Sequence, residues 1–371
     1  MEQKVKGKWI KSSDLGASNT AAYKTTQPEA YKRLDAIHDM MLKIYPQPIG
    51  VDASWHRAIG ISYFGTNRKY YNRESGRTFE YLNLPHFAKY YYTCGFFAYY
   101  CGNGNFMWPG ITNETGTWIT VTANDISGAI GGGDETWMIN GLPVGTRPSV
   151  LKTLNSGFEM LHPELSSNAG YILLHREGML PYIPVTRKQY LDQCIAYRTE
   201  FHDKLIGETK KIPVRSLEEQ EKEKKAQVAQ FEKDFGKNTP QYKSAADYYF
   251  SGYLTDQQQR NELVEKMKKI KEEELKKFRD ELEKTTKEGL LDTPAIVLDM
   301  FYADIIFSTD PQKAKMLVTE NPDYIRKDLP KHIPQFFVLS WTWGDWAPQK
   351  EIGRIIEENF PFDKLLAMID K

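Results

Sequence analysis

The feature that most constrains this chain is a long charged segment that interrupts an otherwise strand-rich sequence. Residues 216–289 are dominated by Glu, Lys and Gln, whereas the segments on either side are rich in aromatic and β-branched residues. A charged segment with a narrow apolar stripe is typical of solvated helices. We therefore predict an α+β protein, in which both ends of the chain build one β-rich core and a charged helical arm is inserted between them.

Helix start and stop signals mark the limits of this arm. Ser216 followed by Glu219 is a capping box at the start of the first arm helix, and Gly236 is a typical C-terminal stop. The predicted organisation has arm helices over 216–235, 240–253 and 256–288 within an insertion of 215–289, and a core made of 1–214 and 290–371.

The flanking segments alternate between helix and strand patterns. Apolar residues at three- and four-residue spacing predict a helix over 28–45, which Pro46 ends. A second helix is predicted after Thr186, where Gln189 completes another capping box. One or two short amphipathic helices are predicted over 348–370. The best strand signals are short aromatic and β-branched runs at 90–100, 117–122, 171–175, 180–185, 295–307, 316–319 and 336–343.

Composition argues against some classes of partner. Lys and Arg together number 49, as do Asp and Glu, so the formal net charge is zero. Nucleic acid is bound through excess positive charge, so we expect no nucleic-acid partner. No stretch approaches the roughly 20 apolar residues that cross a bilayer, so no membrane span is expected. The first residues also lack the apolar region of a signal peptide.

The histidines and cysteines show no metal-ligand spacing. The seven histidines are scattered, with no His-Glu-x-x-His and no Cys-x-x-Cys in the sequence. We therefore predict no metal and no cofactor. Cys94 and Cys101 can form a disulfide only if the chain turns between them, and this alternative stays open. Cys194 falls on the apolar side of a predicted helix, as a small buried hydrophobe does.

No nucleophile motif identifies a reaction, so whether the protein is an enzyme is left open. The Gly-rich loop at 128–135 lacks the Lys and Ser or Thr of a phosphate-binding loop and is more typical of a turn. Acidic residues near predicted strand ends are available for acid–base chemistry. For His175 and Glu177, the alternative is that they simply form a polar turn before Gly178. The catalytic candidates are Glu114, Asp134, Glu135, His175 and Glu177.

Three tryptophans near the end of the chain are the candidates for ligand binding. Trp341, Trp343 and Trp346 lie at the end of a predicted strand. Strand alternation directs Trp341 and Trp343 to the same face, where they could stack on a sugar ring. Alternatively, the rings close the core against the C-terminal helices. A ring exposed beside a groove would favour binding, and three buried rings would assign the cluster to the core.

Five phrases spread over nearly the whole chain carry a family resemblance. They are IYPQPIG (44–50) with WHR (55–57), ETGTW (114–118), LPYIPVTRKQYL (180–191), PQFFVL (334–339) and ENFPFDKLLAMIDK (358–371). In these phrases the chain resembles, over its full length, a group of exported proteins of unassigned function that is common in the Bacteroidetes.

The resemblance implies a location but no reaction and no site residues. It implies export to the periplasm or the cell surface, and we expect a removable export signal encoded upstream of residue 2. The leading hypothesis is a non-catalytic exported protein that binds a carbohydrate or another envelope protein, in an oligomeric state that the sequence does not predict. The alternative is a hydrolase of envelope or environmental polymers that uses carboxylates in the 112–135 region.

Overall fold

The chain divides into two units that are built from different secondary structure. One unit comprises Met1–Thr186 together with Pro294–Lys371, and the other comprises Arg187–Thr293. In the computed structural model, the described residues are 5–13, 15–16, 27–59, 69–72, 77–80, 88–102, 105–107, 116–126, 129–130, 138–139, 142–162, 169–251, 255–298, 306–308 and 314–371.

The first unit is organised around a mixed sheet in which nine of the described strands take part. Its spatial order is β1 (Trp9–Lys11), β3 (Val51–Ile59), β6 (Tyr90–Ala98), β9 (Trp118–Ala123), β18 (Phe337–Thr342), β14 (Ala169–Leu174), β13 (Glu159–His162) and β12 (Ser149–Thr153), with β2 (Leu15–Gly16) also paired to β3. The two pairings of β3 with β1 and β2 are parallel. The other described pairings in this sheet are antiparallel.

A smaller sheet and two hairpins account for the remaining described strands. The smaller sheet has the order β10 (Met138–Ile139), β11 (Leu142–Thr146), β17 (Lys315–Glu320) and β15 (Tyr182–Pro184), with β16 (Ile296–Val297) also paired to β17. The hairpins are β4 (Lys69–Asn72) with β5 (Arg77–Glu80), and β7 (Tyr100–Gly102) with β8 (Asn105–Met107).

The helices are divided between the two units. The first unit contains α1 (Gln27–Ile44), α6 (Ala347–Asn359) and α7 (Phe362–Leu366), and the second contains α2 (Arg187–Lys210), α3 (Leu217–Phe235), α4 (Pro240–Ser251) and α5 (Asp256–Lys287). Within the described part of the chain, none of these helices combines the length and the apolar character needed to cross a membrane. Helices and a mixed sheet together confirm the predicted α+β class.

Strand β18 lies between two hydrophobic cores. Phe337, Leu339 and Trp341 are fully buried in a first core, which also contains residues of α1, α6 and α7. Val338 and the preceding Phe336 are buried in a second core, which also contains residues of β15 and β17. Because alternate residues of a strand point to opposite faces, one strand supplies side chains to both cores.

Helix α1 follows from the apolar spacing of its sequence. Leu34, Ile37 and Met41 recur every three or four residues and are fully buried in the first core. Ile44, the last helical residue, packs against the same core from a half-buried position. The helix predicted over 28–45 is therefore confirmed.

The predicted start and stop signals of the first arm helix are present in the structure. The Ser216 hydroxyl accepts a hydrogen bond from the Glu219 backbone N–H at 3.2 Å, and the Glu219 carboxylate accepts one from the Ser216 N–H at 2.8 Å. Gly236 ends α3 with a φ of 80°, a conformation that glycine adopts without strain. Thr255 and Gln258 form a second capping box, at the start of α5.

The second unit extends beyond the predicted insertion of 215–289, because it also contains α2. Helix α2 pairs with α5: His202 Nε2 lies 2.9 Å from a Glu274 carboxylate oxygen, and the Thr209 hydroxyl lies 3.3 Å from the Met267 sulfur. Ile206 of α2 and Leu275 of α5 are buried. The arm helix α5 therefore packs against α2, which lies before residue 215 and outside the predicted insertion.

One strand prediction needs correction. The strand predicted over 295–307 is limited, among the described residues, to Ile296–Val297, and 299–305 lie outside the described residues. Strands β15 and β16 pair end to end along the same edge of β17, and β15 already occupies positions 318–320. Ile296 pairs with Met316 and Val297 with Lys315, so β16 runs away from β15, toward the start of β17.

Replacing residues 187–293 by a short Gly-Ser linker is expected to leave the first unit folded. The two flanking residues, Thr186 and Pro294, are bridge partners, and Ala295 N donates to Val185 O at 2.8 Å, so a short linker can join them. The measurement is a single cooperative thermal transition with retained circular dichroism. Deleting only 216–289 should be less well tolerated, because α2 would lose α5. An unfolded product of the larger deletion would contradict the division into two units.

Candidate functional site

The three candidate tryptophans occupy different environments. Trp341 is fully buried in the first core, and its indole Nε1 has no hydrogen-bond partner in the described part of the chain. Trp343 is half-buried, and its ring packs closely over Gly353 of α6. Trp346 immediately precedes α6 and is 46% exposed. A buried ring presents no face to a ligand, so Trp341 is excluded as a binding platform, and Trp346 is the most exposed of the three rings.

A cavity of about 700 Å³ opens beside the first turns of α6, next to Trp346 in sequence. Cavities that hold small ligands span roughly 300–1,000 Å³ and are mostly apolar with a few polar groups. We refer to it as the α6 cavity. Its lining residues come from the turn after α1 and from one side of α6, and are Tyr45, Ile49, Ala347, Pro348, Lys350, Glu351, Arg354 and Ile355.

The inner wall of the α6 cavity is held by the turn that follows α1. The Tyr45 hydroxyl accepts a hydrogen bond from Ile49 N at 2.9 Å and donates to Ile49 O at 3.4 Å. The Trp9 indole donates to Tyr45 O at 3.1 Å, and the Tyr45 ring packs edge-on to Phe96. Burial raises the pKa of the Tyr45 hydroxyl, which therefore stays neutral. The wall is thus preformed and uncharged.

The rim of the α6 cavity carries paired charges. Lys350 Nζ lies 3.5 Å from an Asp345 oxygen. Arg354 donates to Glu351 at 2.5 Å and also to Glu358. The hydrogen bond from Arg354 lowers the pKa of Glu351, which therefore remains an acceptor at neutral pH. Exposed pairs of this kind contribute only about 0–1 kcal/mol each, so a ligand can replace them at little cost.

A buried lysine joins two carboxylates at the end of the main sheet. Lys89, which precedes β6, is 2% exposed. Its Nζ lies 3.1 Å from Asp125 Oδ1 and 3.9 Å from Glu320 Oε1. The Tyr91 hydroxyl donates to Asp125 Oδ2 at 2.6 Å. We refer to these four residues as the Lys89 centre.

Asn124 brings the members of the Lys89 centre together. Its φ of 59° lies in the left-handed region, which asparagine tolerates better than most residues. Its amide nitrogen donates to Ala88 O at 3.0 Å and to Ile333 O at 3.3 Å, and its amide oxygen accepts from Gln335 N at 2.7 Å. Because Asn124 binds the residue before Lys89, the adjacent Asp125 is held beside the ammonium group.

We interpret the Lys89 centre as a link between the two sheets. Lys89 directly precedes β6 and Asp125 lies two residues after β9, both strands of the main sheet, whereas Glu320 ends β17 of the smaller sheet. Asp125 lies in the 112–135 region, from which a hydrolase was expected to draw its carboxylates. The Lys89 ammonium contacts both carboxylates, so they are not free to act together on a substrate. Removing one partner of such a buried group is strongly destabilising.

Most of the sequence-predicted acidic candidates cannot be placed in this geometry. Glu114, Asp134 and Glu135 lie outside the described residues. Of the Gly-rich loop at 128–135, the structure describes only 129–130, and both of those residues are buried in the second core. The described part of this loop therefore contributes apolar packing.

The turn after β14 carries the other two candidates. Glu177 is exposed in this turn, and Gly178 beside it has a φ of 76°. The turn leads from β14 of the main sheet to β15 of the smaller sheet. His175, in contrast, is half-buried and lines a second, smaller cavity. The turn thus separates two candidates that the sequence grouped together.

Cys94 and Cys194 are buried thiols. Cys94 and Cys194 are both free, so no disulfide joins Cys94 to Cys101. Burial raises the pKa of the Cys94 thiol well above its usual range and that of Cys194 to about 12. The nucleophilic form of a cysteine is the thiolate, and at neutral pH both of these side chains remain protonated thiols. Among the described residues, no group of three or more His, Cys, Asp or Glu side chains is arranged to hold a metal ion.

Sequence reasoning missed the Lys89 centre and the α6 cavity. A signal for the first exists in retrospect: Lys89 interrupts an apolar and aromatic run at the start of a buried strand, where a charge requires a partner. The partners could not be named, because Asp125 is 36 residues away in sequence. The α6 cavity depends on the approach of two distant segments, for which the sequence holds no local signal.

The different environments of the tryptophans predict different effects on stability. Trp341→Ala is expected to lower the free energy of unfolding by about 3–5 kcal/mol, because it removes a fully buried ring and leaves a void. Trp346→Ala is expected to cost about 1 kcal/mol or less, since nearly half of that residue is already in water. Denaturant unfolding of both variants provides the measurement. Equal losses would contradict the two environments.

Glu320 is expected to make stability depend on pH. Burial raises its pKa above the usual value of 4.5, and the Lys89 ammonium offsets this only in part. The folded state therefore holds the proton more tightly than the unfolded state. The resulting stabilisation is complete below pH 4.5 and is lost as the pH rises through the folded-state pKa.

The Glu320→Gln variant has no ionisable group at this position, so it should not lose stability in this way as the pH rises. The melting temperature of the variant, relative to the unmodified protein, should therefore increase between pH 4.5 and about pH 7.5. Calorimetry at both pH values gives the measurement. Glu177→Gln, at an exposed position, is the matched control and should show no such trend. A relative melting temperature for Glu320→Gln that stays constant or falls would contradict the raised pKa.

Comparison with known proteins leaves the α6 cavity and the Lys89 centre without a characterised counterpart, because no protein-family model, curated protein or solved structure matches this chain. The resemblance to exported proteins therefore continues to rest on the sequence phrases. Function has to be inferred from the residues of the chain, and the α6 cavity is the larger of the two cavities described above.

Proposed function

We propose that this protein is a non-catalytic, exported binding protein that holds a neutral carbohydrate in the α6 cavity. The observation that carries the proposal is the cavity itself. It has about 700 Å³ of space, a preformed uncharged inner wall and a rim of paired charged groups. Its volume is within the range of small-molecule sites.

The chemistry of the lining suits a sugar. A pyranose ring presents C–H groups on its faces and hydroxyl groups around its edge, and each hydroxyl both donates and accepts. The α6 cavity offers apolar surface from Ile49, Pro348 and Ile355. Its rim offers donors on Lys350 and Arg354. The acceptors on the same rim are carboxylates, so both needs of a hydroxyl group are met.

The charge balance of the rim favours a neutral ligand over an anionic one. The two cationic groups are each paired with a carboxylate, and Arg354 contacts a second carboxylate, Glu358. The rim and its immediate partners therefore hold one more carboxylate than cation. An anionic ligand would be repelled by this excess, whereas hydroxyl groups can insert between the paired charges.

Trp346 supports the same ligand class. It directly precedes Ala347, which lines the cavity, and it keeps nearly half of its surface in water. An exposed indole has a large apolar face and loses little conformational entropy when it binds a ligand. Such a ring is suited to cover one face of a sugar at the mouth of the cavity.

Export is supported by the resemblance of the sequence phrases to exported proteins of the Bacteroidetes. A binding protein in the periplasm or at the cell surface would meet polysaccharides of the envelope or the environment. Cell fractionation of the native host tests the location: recovery of the protein only from the cytosol would contradict it.

A steric block in the α6 cavity tests the binding proposal. Purified protein is titrated by calorimetry with a panel of neutral oligosaccharides and with their uronic-acid counterparts. We expect at least one neutral member to bind more tightly than its acidic counterpart. Ala347→Trp places a large ring in the cavity and should weaken this binding by at least about tenfold, which corresponds to roughly 1.4 kcal/mol.

The matched control is Asn359→Trp, which adds the same side chain at an exposed position of the same helix outside the cavity. It should bind like the unmodified protein. Trp346→Ala should weaken binding if the indole covers the sugar. Failure of every neutral oligosaccharide to bind, or unchanged binding by Ala347→Trp, would exclude the α6 cavity as a carbohydrate site.

A further inference from the structure

A second cavity, of about 240 Å³, lies between two strands of the main sheet. Strands β13 and β14 are paired at one recorded position, Leu161 with Tyr171. Past this pair, both chain segments line the cavity: Phe158 and Glu159 from the β13 segment, and Leu174 and His175 from the β14 segment. Of the described residues, none lines both this cavity and the α6 cavity, so the two sites are independent.

His175 lines this cavity, and one of its two ring nitrogens is engaged with the backbone. Its Nδ1 lies 2.7 Å from the Arg176 carbonyl oxygen. A carbonyl oxygen can only accept, so Nδ1 of the neutral ring carries the proton and donates it. Nε2 of the neutral ring is then left with a lone pair. A backbone hydrogen bond of this kind fixes both the tautomer and the orientation of the imidazole.

The charge of the cavity lining is negative. Glu159 is exposed and carries the one carboxylate of the lining, which contains neither lysine nor arginine. The remaining walls are apolar or aromatic, and include Leu174, Leu366 and Tyr182. A ligand that enters therefore meets one carboxylate, one imidazole ring and an apolar surface.

We propose that this cavity binds a small organic ammonium ion, such as a short alkylamine or the end of a longer amine. The carboxylate of Glu159 supplies the counter-charge, and Nε2 of His175 accepts an N–H bond. The apolar walls take the alkyl part, and an ammonium ion is attracted to the faces of aromatic rings such as Phe158 and Tyr182. The volume limits the bound part to a chain of a few carbons.

Three probes of the same size and different charge test the proposal. The protein is titrated with n-butylammonium, butan-1-ol and butyrate, while chemical shifts of amides in 157–182 are followed by NMR. We expect n-butylammonium to bind most tightly and butyrate most weakly. Glu159→Gln should lower the affinity for n-butylammonium by about tenfold, as expected for loss of a charge-assisted hydrogen bond, and leave that for butan-1-ol unchanged.

Two controls make the result specific. Glu177→Gln removes an exposed carboxylate outside the cavity and should bind n-butylammonium like the unmodified protein. Ala347→Trp blocks only the α6 cavity and should also retain this binding. Absence of n-butylammonium binding, equal or tighter binding of butyrate, or an unchanged affinity in Glu159→Gln would each overturn the proposal.

Discussion

The structure of the first unit depends on the burial of β18 from both sides. This strand pairs with β9 on one edge and with β14 on the other. Its odd-numbered side chains fill the first core and Val338 fills the second. Four of its six residues thus supply both cores, while the strand completes the hydrogen bonding of its two neighbours. The hydrophobic burial of this strand therefore fixes the relative position of both halves of the sheet.

The candidate sites inherit their geometry from this strand. Helix α6 begins five residues after β18 ends, so the position of β18 determines where the rim of the α6 cavity lies. On the opposite side of the cavity, the turn after α1 is fixed by contacts with Trp9 and Phe96. The Lys89 centre ties the smaller sheet to the main sheet through Glu320. Rigid supports of this kind allow a binding site to form before its ligand arrives.

The sequence predicts what is decided locally. The apolar spacing of α1, the capping box at Ser216 and the stop at Gly236 depend on residues within a few positions of one another, and all three are present in the structure. Of the strand predicted over 295–307, the described residues are extended at Ile296–Val297 but not at 306–307, although the apolar pattern continues to 307. Local β-propensity does not decide where a strand ends, because the end also depends on the pairing partner.

The same limit applies to the site residues. Alternation places Trp341 on one face of a strand, but only the packing of helices on that face decides that the ring is buried. His175 is prominent in the sequence as part of a polar turn, yet its surroundings depend on where β13 stops pairing with β14. The partners of Lys89 come from strands that are far apart in the chain. Long-range contacts of this kind have no signature in a single sequence.

The position of β18 has a consequence for how the protein is made. Both neighbours of β18, β9 and β14, leave the ribosome well before residues 337–342 do, and until then each has an edge without its native partner. Such edges pair readily with other chains, and strand insertion from a distant part of the sequence is slow. The first unit can therefore reach its native state only after residues 337–342 have been synthesised.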